Sequence, residues 1–272
     1  MMISTAAGIG PRGRSELGAV LGPGRRFVGP TDVTAALGIT PDEAAKKLSR
    51  WAAEGWLRRA RRGLYIPVPV DAPNPAAWSA DALVVGAAVW SPCYFTGWTS
   101  ASHWSLTEQV FRTTVVKTTR RVRASTTVLL DHEYLVRHVS ADAMGWGLAT
   151  EWERDARLRF ANAARTVVEV LDEPRLGGGI RHCADILNAY LDDHDASPLV
   201  DYGDRLGNRT VFKRLGFLLE TLGRGDAALL DACRSRLSEG VSPLDPDGPA
   251  KGRRVMRWRL RVNAEIRPEA PT

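Results

Sequence analysis

Cysteine is scarce in this chain. There are three in 272 residues, Cys93, Cys183 and Cys233, far apart and without C-x-x-C spacing. That set excludes a disulfide framework and a zinc ribbon, and it fits a reducing cytoplasm. Long apolar runs are also missing. No stretch approaches the roughly 18 consecutive apolar residues of a membrane-spanning helix, so no membrane association is expected. Met1–Gly24 has no apolar h-region and does not read as a secretory signal. Rich in Gly and Arg, residues 1–24 read as a flexible N-terminal segment.

Catalytic signatures are lacking too. The five histidines, His103, His132, His138, His182 and His194, share no spacing. His182-Cys183 with Asp185 and His194 fits no standard zinc pattern. There is no Gly-x-Ser-x-Gly elbow and no Cys–His pair set up for nucleophilic attack. Gly177-Gly178-Gly179 lacks the Lys-Ser/Thr of a P-loop and reads as a flexible turn between helices. Glu169, Asp172 and Glu173 lie close in sequence, but no neighbouring Lys completes a nuclease-type divalent-ion site. They read as helix-surface acids, and Asp192-Asp193-His194-Asp195 reads as a solvated loop. The expectation is therefore no enzyme: no catalytic residue, no metal and no cofactor.

Charge is present and unevenly placed. Residues 1–70 hold eleven Lys and Arg against five acids, and the remainder is balanced, so the whole excess of +6 sits in the first quarter of the chain. A basic block joined to a neutral body points to a nucleic-acid module with a second domain.

The block has helix-turn-helix punctuation. Gly29-Pro30-Thr31-Asp32 is turn chemistry ending in an N-cap, Val33, Ala36 and Leu37 follow at helical spacing, and Gly38 stops the helix. Thr40-Pro41-Asp42-Glu43 opens a second helix with a capping box and Pro at its first position. At 100° per residue, Ala44, Ala45, Leu48, Trp51 and Ala52 share one face, while Lys46, Lys47, Ser49 and Arg50 fall on the other. Trp56 to Pro67 then reads as strand, basic turn, strand, with Gly63 supplying the positive φ of a hairpin. This is a wing behind a recognition helix. The expected DNA contacts are Thr31, Thr40, Lys46, Lys47, Ser49 and Arg50 from the helices, and Arg58, Arg59, Arg61 and Arg62 from the wing. Phosphate contact needs only a positive donor, whereas base reading needs defined donors on the helix.

The pieces Thr31-Asp32-Val33, Ala36-Leu37-Gly38-Ile39, Lys47-Leu48-Ser49-Arg50, Glu54-Gly55-Trp56-Leu57 and Arg61-Arg62-Gly63-Leu64-Tyr65 resemble the winged-helix domain of AbiEi-type antitoxins, from abortive-infection toxin–antitoxin systems. Further on, the likeness continues in Thr96-Gly97-Trp98-Thr99-Ser100-Ala101, Trp104-Ser105-Leu106-Thr107-Glu108, Lys213 to Glu220 and Trp258 to Asn263. Asn162-Ala163-Ala164-Arg165-Thr166 departs from the family's Glu-Arg-type pattern. The resemblance implies a cytoplasmic antitoxin that represses its own operon at inverted repeats in double-stranded DNA. It also implies that the protein counteracts a cognate nucleotidyltransferase-like toxin, directly or functionally. Inverted repeats are compatible with a homodimer.

The predicted fold class is α+β: a winged helix-turn-helix at 25–70, a linker at 71–77, a larger mixed α+β domain at 78–266 and a tail at 267–272. In the body, Trp78–Trp90 and Gly97–Trp104 read as helices, and Val110–Lys117, Thr126–Leu130 and Leu135–Val139 as strands. Spans 151–172, 180–191, 209–223 and 226–237 read as helices and Lys251–Ile266 as a late strand or hairpin. Trp51 and Trp56 are expected in the head core, and Trp98, Trp104, Trp146 and Trp152 in the body. Two other readings of the body stay open: a ligand-sensing domain and a DNA-targeting nuclease.

Overall fold

The computed structural model describes residues 10–22, 25–69, 80–153 and 156–266. The linker expected at 71–77 and the tail at 267–272 lie outside the described residues.

Pro11 opens the first helix, α1 (Pro11–Leu21), and Leu17 and Val20 bury against the rest of the head. The expectation of a flexible segment over residues 1–24 therefore fails for this stretch. The i, i+3, i+4 spacing of Leu17, Val20 and Leu21 buries a stripe that Gly/Arg composition obscured. Next come α2 (Pro30–Leu37), α3 (Pro41–Ala53), β1 (Leu57–Arg61) and β2 (Leu64–Pro67). Val28 and Tyr65 exchange two backbone hydrogen bonds of 2.9 Å, adding a short third segment to the β1–β2 hairpin. The helices and hairpin enclose Val28, Val33, Ala44, Leu48, Trp51, Leu57 and Tyr65. This is a winged helix.

The body begins with α4 (Ala82–Trp90), β3 (Cys93–Phe95), α5 (Gly97–His103), β4 (Thr113–Thr118), β5 (Thr126–Leu129) and β6 (His132–His138). It continues through β7 (Leu148–Glu153), β8 (Ala156–Ala161) and five helices: α6 (Ala163–Asp172), α7 (Ile180–Asp193), α8 (Ser197–Leu206), α9 (Thr210–Leu222) and α10 (Ala227–Arg234). Three short strands, β9 (Ser242–Pro243), β10 (Arg253–Val255) and β11 (Leu260–Val262), complete it. The main sheet runs in the order β5-β6-β4-β3-β8-β7; β4 and β6 are parallel, as are β3 and β8. One face packs on α4 through Val85, Val89, Phe95, Val116, Tyr134 and Phe160. Helix α6 sits against the other face and is buried from Ala164 to Leu171.

Several expectations change. The first part of 151–172 is a hairpin, β7–β8, not helix. Buried Leu158 and Phe160 alternate with more open Arg157 and Arg159, a period of two that the helix-forming Glu, Arg and Ala content masked. Helix α6 starts only after Asn162, whose side chain accepts the Arg165 N–H at 2.9 Å. Helix α8 was not anticipated. Gly177-Gly178-Gly179 does connect helices, and at Gly177 a side chain would meet the Cys183 sulfur and Val170. Trp152 is 67% exposed rather than in the core.

Two pieces of the family likeness meet in space. A side chain at Gly216 of α9 would drive into the Trp258 ring, and Trp258 Nε1 donates to Glu220 at 2.8 Å. Beside them Lys213 and Arg214 are buried cations. Lys213 donates to the Gly240 carbonyl at 2.9 Å, and Arg214 donates to the carbonyls of Leu171, Asp172, Pro243 and Leu244. Burial pushes both below their ordinary pKa values.

Glu169 is the largest departure from expectation: it is 1% exposed, wedged between α6 and the sheet, and not a surface acid. One carboxylate oxygen accepts from Tyr94 and Arg165 Nε, both at 2.8 Å; the other accepts from Thr96 and forms an ion pair with Lys117 at 3.2 Å. The Arg165 guanidinium lies between the Tyr94 and Trp146 rings and donates to the carbonyls of Ala143 and Trp146. Burial opposes ionisation of Glu169, but the charges of Lys117 and Arg165 overcome it and hold the carboxyl below its ordinary value. The stability this contributes is present above the ordinary carboxylate pKa and is lost as pH falls through the lowered value in the fold. Replacing Glu169 by Gln leaves two buried cations without their anion. Urea unfolding at pH 7 is expected to show a loss of about 3–5 kcal/mol. The variant should also lack part of the wild-type decline in stability on acidification; an unchanged midpoint would contradict this account.

Candidate nucleic-acid interface

Helix α2 is capped by Gly29, not by Asp32 as expected. Asp32 sits at the third helical position, accepts the Gly29 N–H at 2.8 Å and pairs with Arg25. Gly29 has no room for a side chain, because a Cβ there would come 2.9 Å from the Gly63 carbonyl oxygen at the wing tip. Gly38, at φ 65°, ends the helix in the left-handed region.

Thr40 then caps α3. Its N–H donates to the Glu43 carboxylate at 2.9 Å, its hydroxyl donates to the same oxygen at 2.8 Å, and the hydroxyl accepts the Glu43 N–H at 3.4 Å. These hydrogen bonds hold the Glu43 carboxyl below its ordinary pKa. Ala44, Leu48 and Trp51 are buried, whereas Ala45, expected on that face, is exposed.

The ten predicted contact residues divide into two groups. Thr31, Lys46, Ser49, Arg59, Arg61 and Arg62 are exposed on the first turn of α2, the outer face of α3 and the wing. The other four are already engaged. Thr40 is spent on the cap. Lys47 is half-buried, paired with Glu16 of α1 at 2.5 Å and placed over the Trp51 ring. Arg50 is exposed but binds Glu54 at 2.8 Å, which raises its pKa. Arg58 is turned toward the body and binds Asp131, between β5 and β6, at 3.0 Å.

The wing is held on both sides. Leu57 and Tyr65 enter the head core, while Ala60 and Ile66 belong to the buried cluster under α4. An irregular register between Arg59 and Arg61 lets β1 serve both. The tip turns at Arg62-Gly63, with Gly63 at φ 74°. Sequence reasoning missed α1, and with it Arg12 and Glu16. Pro11 at the first helical position and Gly22 after Leu21 were the available signals.

Elsewhere, no group of three or more His, Cys, Asp or Glu is placed to hold a metal ion among the described residues. His182 has both ring nitrogens engaged, Nδ1 with the Gly177 carbonyl and Nε2 with Thr107. Burial raises the thiol pKa of Cys93 and of Cys233 to about 12, leaving them poor nucleophiles. No described helix is long and apolar enough to cross a membrane.

The described chain is thus a winged helix with an exposed cationic face, joined to an α+β body. Residues 24–68 match the family model described as transcriptional regulator, AbiEi antitoxin, the family that the sequence pieces resemble. The fold as a whole is similar to the crystal structure of the RV2827C protein from Mycobacterium tuberculosis. The TM-score is 0.67 at 16% identity, covering 94% of this chain and 93% of that one. At that identity the likeness establishes the fold. No curated protein matches.

The cap yields a measurable expectation. Thr40→Ala should cost about 1 kcal/mol of head stability, because the Glu43 N–H loses its acceptor and the Glu43 carboxylate loses the hydroxyl. Urea unfolding followed by Trp51 and Trp56 fluorescence would check it; no shift would mean that the capping box contributes nothing.

Proposed function

We propose that this chain is the DNA-binding transcriptional autorepressor and antitoxin of a toxin–antitoxin operon. It would bind operator inverted repeats through the head and counteract a nucleotidyltransferase-like toxin, directly or through the toxin's target. The observation that carries this reading is Lys46, Ser49, Arg59, Arg61 and Arg62 exposed together on a winged helix whose sequence matches a regulator family. The partner toxin, the autorepression and the cytoplasmic location follow from the resemblance. In this reading α3 enters the major groove, with Ser49 beside base edges, and the wing arginines meet phosphates. Two copies on one inverted repeat would match two-fold symmetry. In this reading the body serves as the antitoxin portion.

A titration of promoter-region duplex at several salt concentrations tests this. With Lys46, Arg59, Arg61 and Arg62 each meeting a phosphate, log affinity should fall with log salt at a slope of roughly −3.6 per head. Arg61→Ala or Arg62→Ala should each make the slope about 0.9 shallower. Arg58→Ala should leave it near wild type, since that guanidinium is turned to Asp131. Ser49→Ala should change sequence preference rather than slope. A flat salt response would sink the interface, and an unrelated neighbouring gene would count against the antitoxin role.

A further inference from the structure

The carboxylate of Glu16 bridges two cations on two helices. One oxygen accepts from Arg12 Nε at 3.2 Å on its own helix, and the other accepts from Lys47 Nζ at 2.5 Å on the recognition helix. Arg12, Glu16, Lys47 and Trp51, together with the Arg50–Glu54 pair, line a cleft of about 380 Å³ between α1 and α3. Lys47 and Arg50, which line it, directly follow the exposed Lys46 and Ser49 in α3.

We infer that Glu16 occupies the place of a DNA backbone phosphate: Arg12 and Lys47 form a further phosphate site, and the Glu16 carboxylate is a built-in competitor for it. This rests on the DNA-binding reading above.

The chemistry is like for like. A carboxylate and a phosphodiester each present two anionic oxygens to paired cations. The Glu16–Lys47 side chains retain 23% and 27% exposure, and Arg12 is 93% exposed. Partly exposed pairs of this kind contribute little to stability, so the carboxylate and a phosphate compete closely for the same two cations. Lys47 first, with Arg12 also contributing, holds Glu16 below its ordinary pKa, so the competitor carries its charge at neutral pH. Two consequences follow. Free protein presents fewer cations to DNA than its sequence contains. Glu16 also places a negative charge beside the duplex, which weakens binding to any sequence.

The experiment compares the full chain with its Glu16→Gln and Glu16→Gln/Lys47→Gln variants on the same promoter-region duplex across salt. Glu16→Gln keeps the side-chain shape and removes the charge. It should bind several-fold tighter at low salt, with a slope about 0.9 more negative from one added phosphate contact. Its advantage should then shrink about threefold between 50 and 200 mM salt. The double variant should return to the wild-type slope. A Glu16→Gln slope that superimposes on wild type overturns the inference, as does a tighter slope that survives loss of Lys47. Urea unfolding of each variant identifies weaker binding caused by release of α1; if Glu16→Gln binds more weakly at unchanged stability, Glu16 is a support and not a competitor. Absence of salt-dependent binding by the wild-type chain would instead remove the DNA-binding reading itself.

Discussion

The β1–β2 hairpin is buried on two sides, and the rest of the arrangement depends on that constraint. A two-stranded ribbon alone is marginal in water. Here Leu57 and Tyr65 close the core of the three head helices, and Ala60 and Ile66 enter the apolar layer shared by α4 and the main sheet. Asp131 then fixes the outer edge by binding Arg58. Its turn is tight: Leu130 and Asp131 both adopt positive φ, at 48° and 69°. The strain of a left-handed Leu persists where its surroundings over-determine it, and Leu130 packs against the same cluster as Ala60 and Ile66. The wing tip is thus aimed by the body, while the spacing between tip and recognition helix is set by the head.

The sequence exposed the head better than the body, for physical reasons. Thr40, Pro41 and Glu43 act within one turn, so their capping chemistry is local and readable. Gly63 and Gly38 likewise declare their positive φ by being glycine. Which arginine stays open to solvent is not local. Arg58 and Arg61 are both strand residues in a basic run, and the body's Asp131, 73 residues away, engages Arg58 while Arg61 is exposed. Lys47 is removed from the outer face by Glu16, 31 residues distant. The same limit explains Glu169. Its neighbours in sequence read as surface acids because Lys117, Tyr94 and Thr96, which neutralise and solvate it, come from other elements. The β7–β8 hairpin failed for a different reason: residues of good helix propensity follow a two-residue burial period, and tertiary packing decides between them.

Burial also alters the meaning of net charge. Residues 71–272 are balanced by count. Yet among the described residues there, Lys117, Arg165, Lys213 and Arg214 are buried against one buried acid, Glu169. Three more cations than anions are therefore withdrawn from solvent, and carbonyl oxygens and aromatic faces take the place of counter-ions.

The family match and the physical unit have different edges. The match spans 24–68. The folded head extends back to Pro11, since Leu17 and Val20 complete its core, and forward into α4, since the wing's second face needs cover. Residues 25–70 alone would expose Ala60 and Ile66 and lose the helix that carries Glu16. The exposed residues proposed to touch DNA lie inside the matched segment. The groups that restrain and orient its cations, Glu16 on one side and Asp131 on the other, lie outside it. A change in the packing of α4 would reach the wing through one buried cluster, whereas a change in α1 would reach α3 through the head core and the Glu16 carboxylate. On the proposed reading, the first would bear on where phosphates are met and the second on how many.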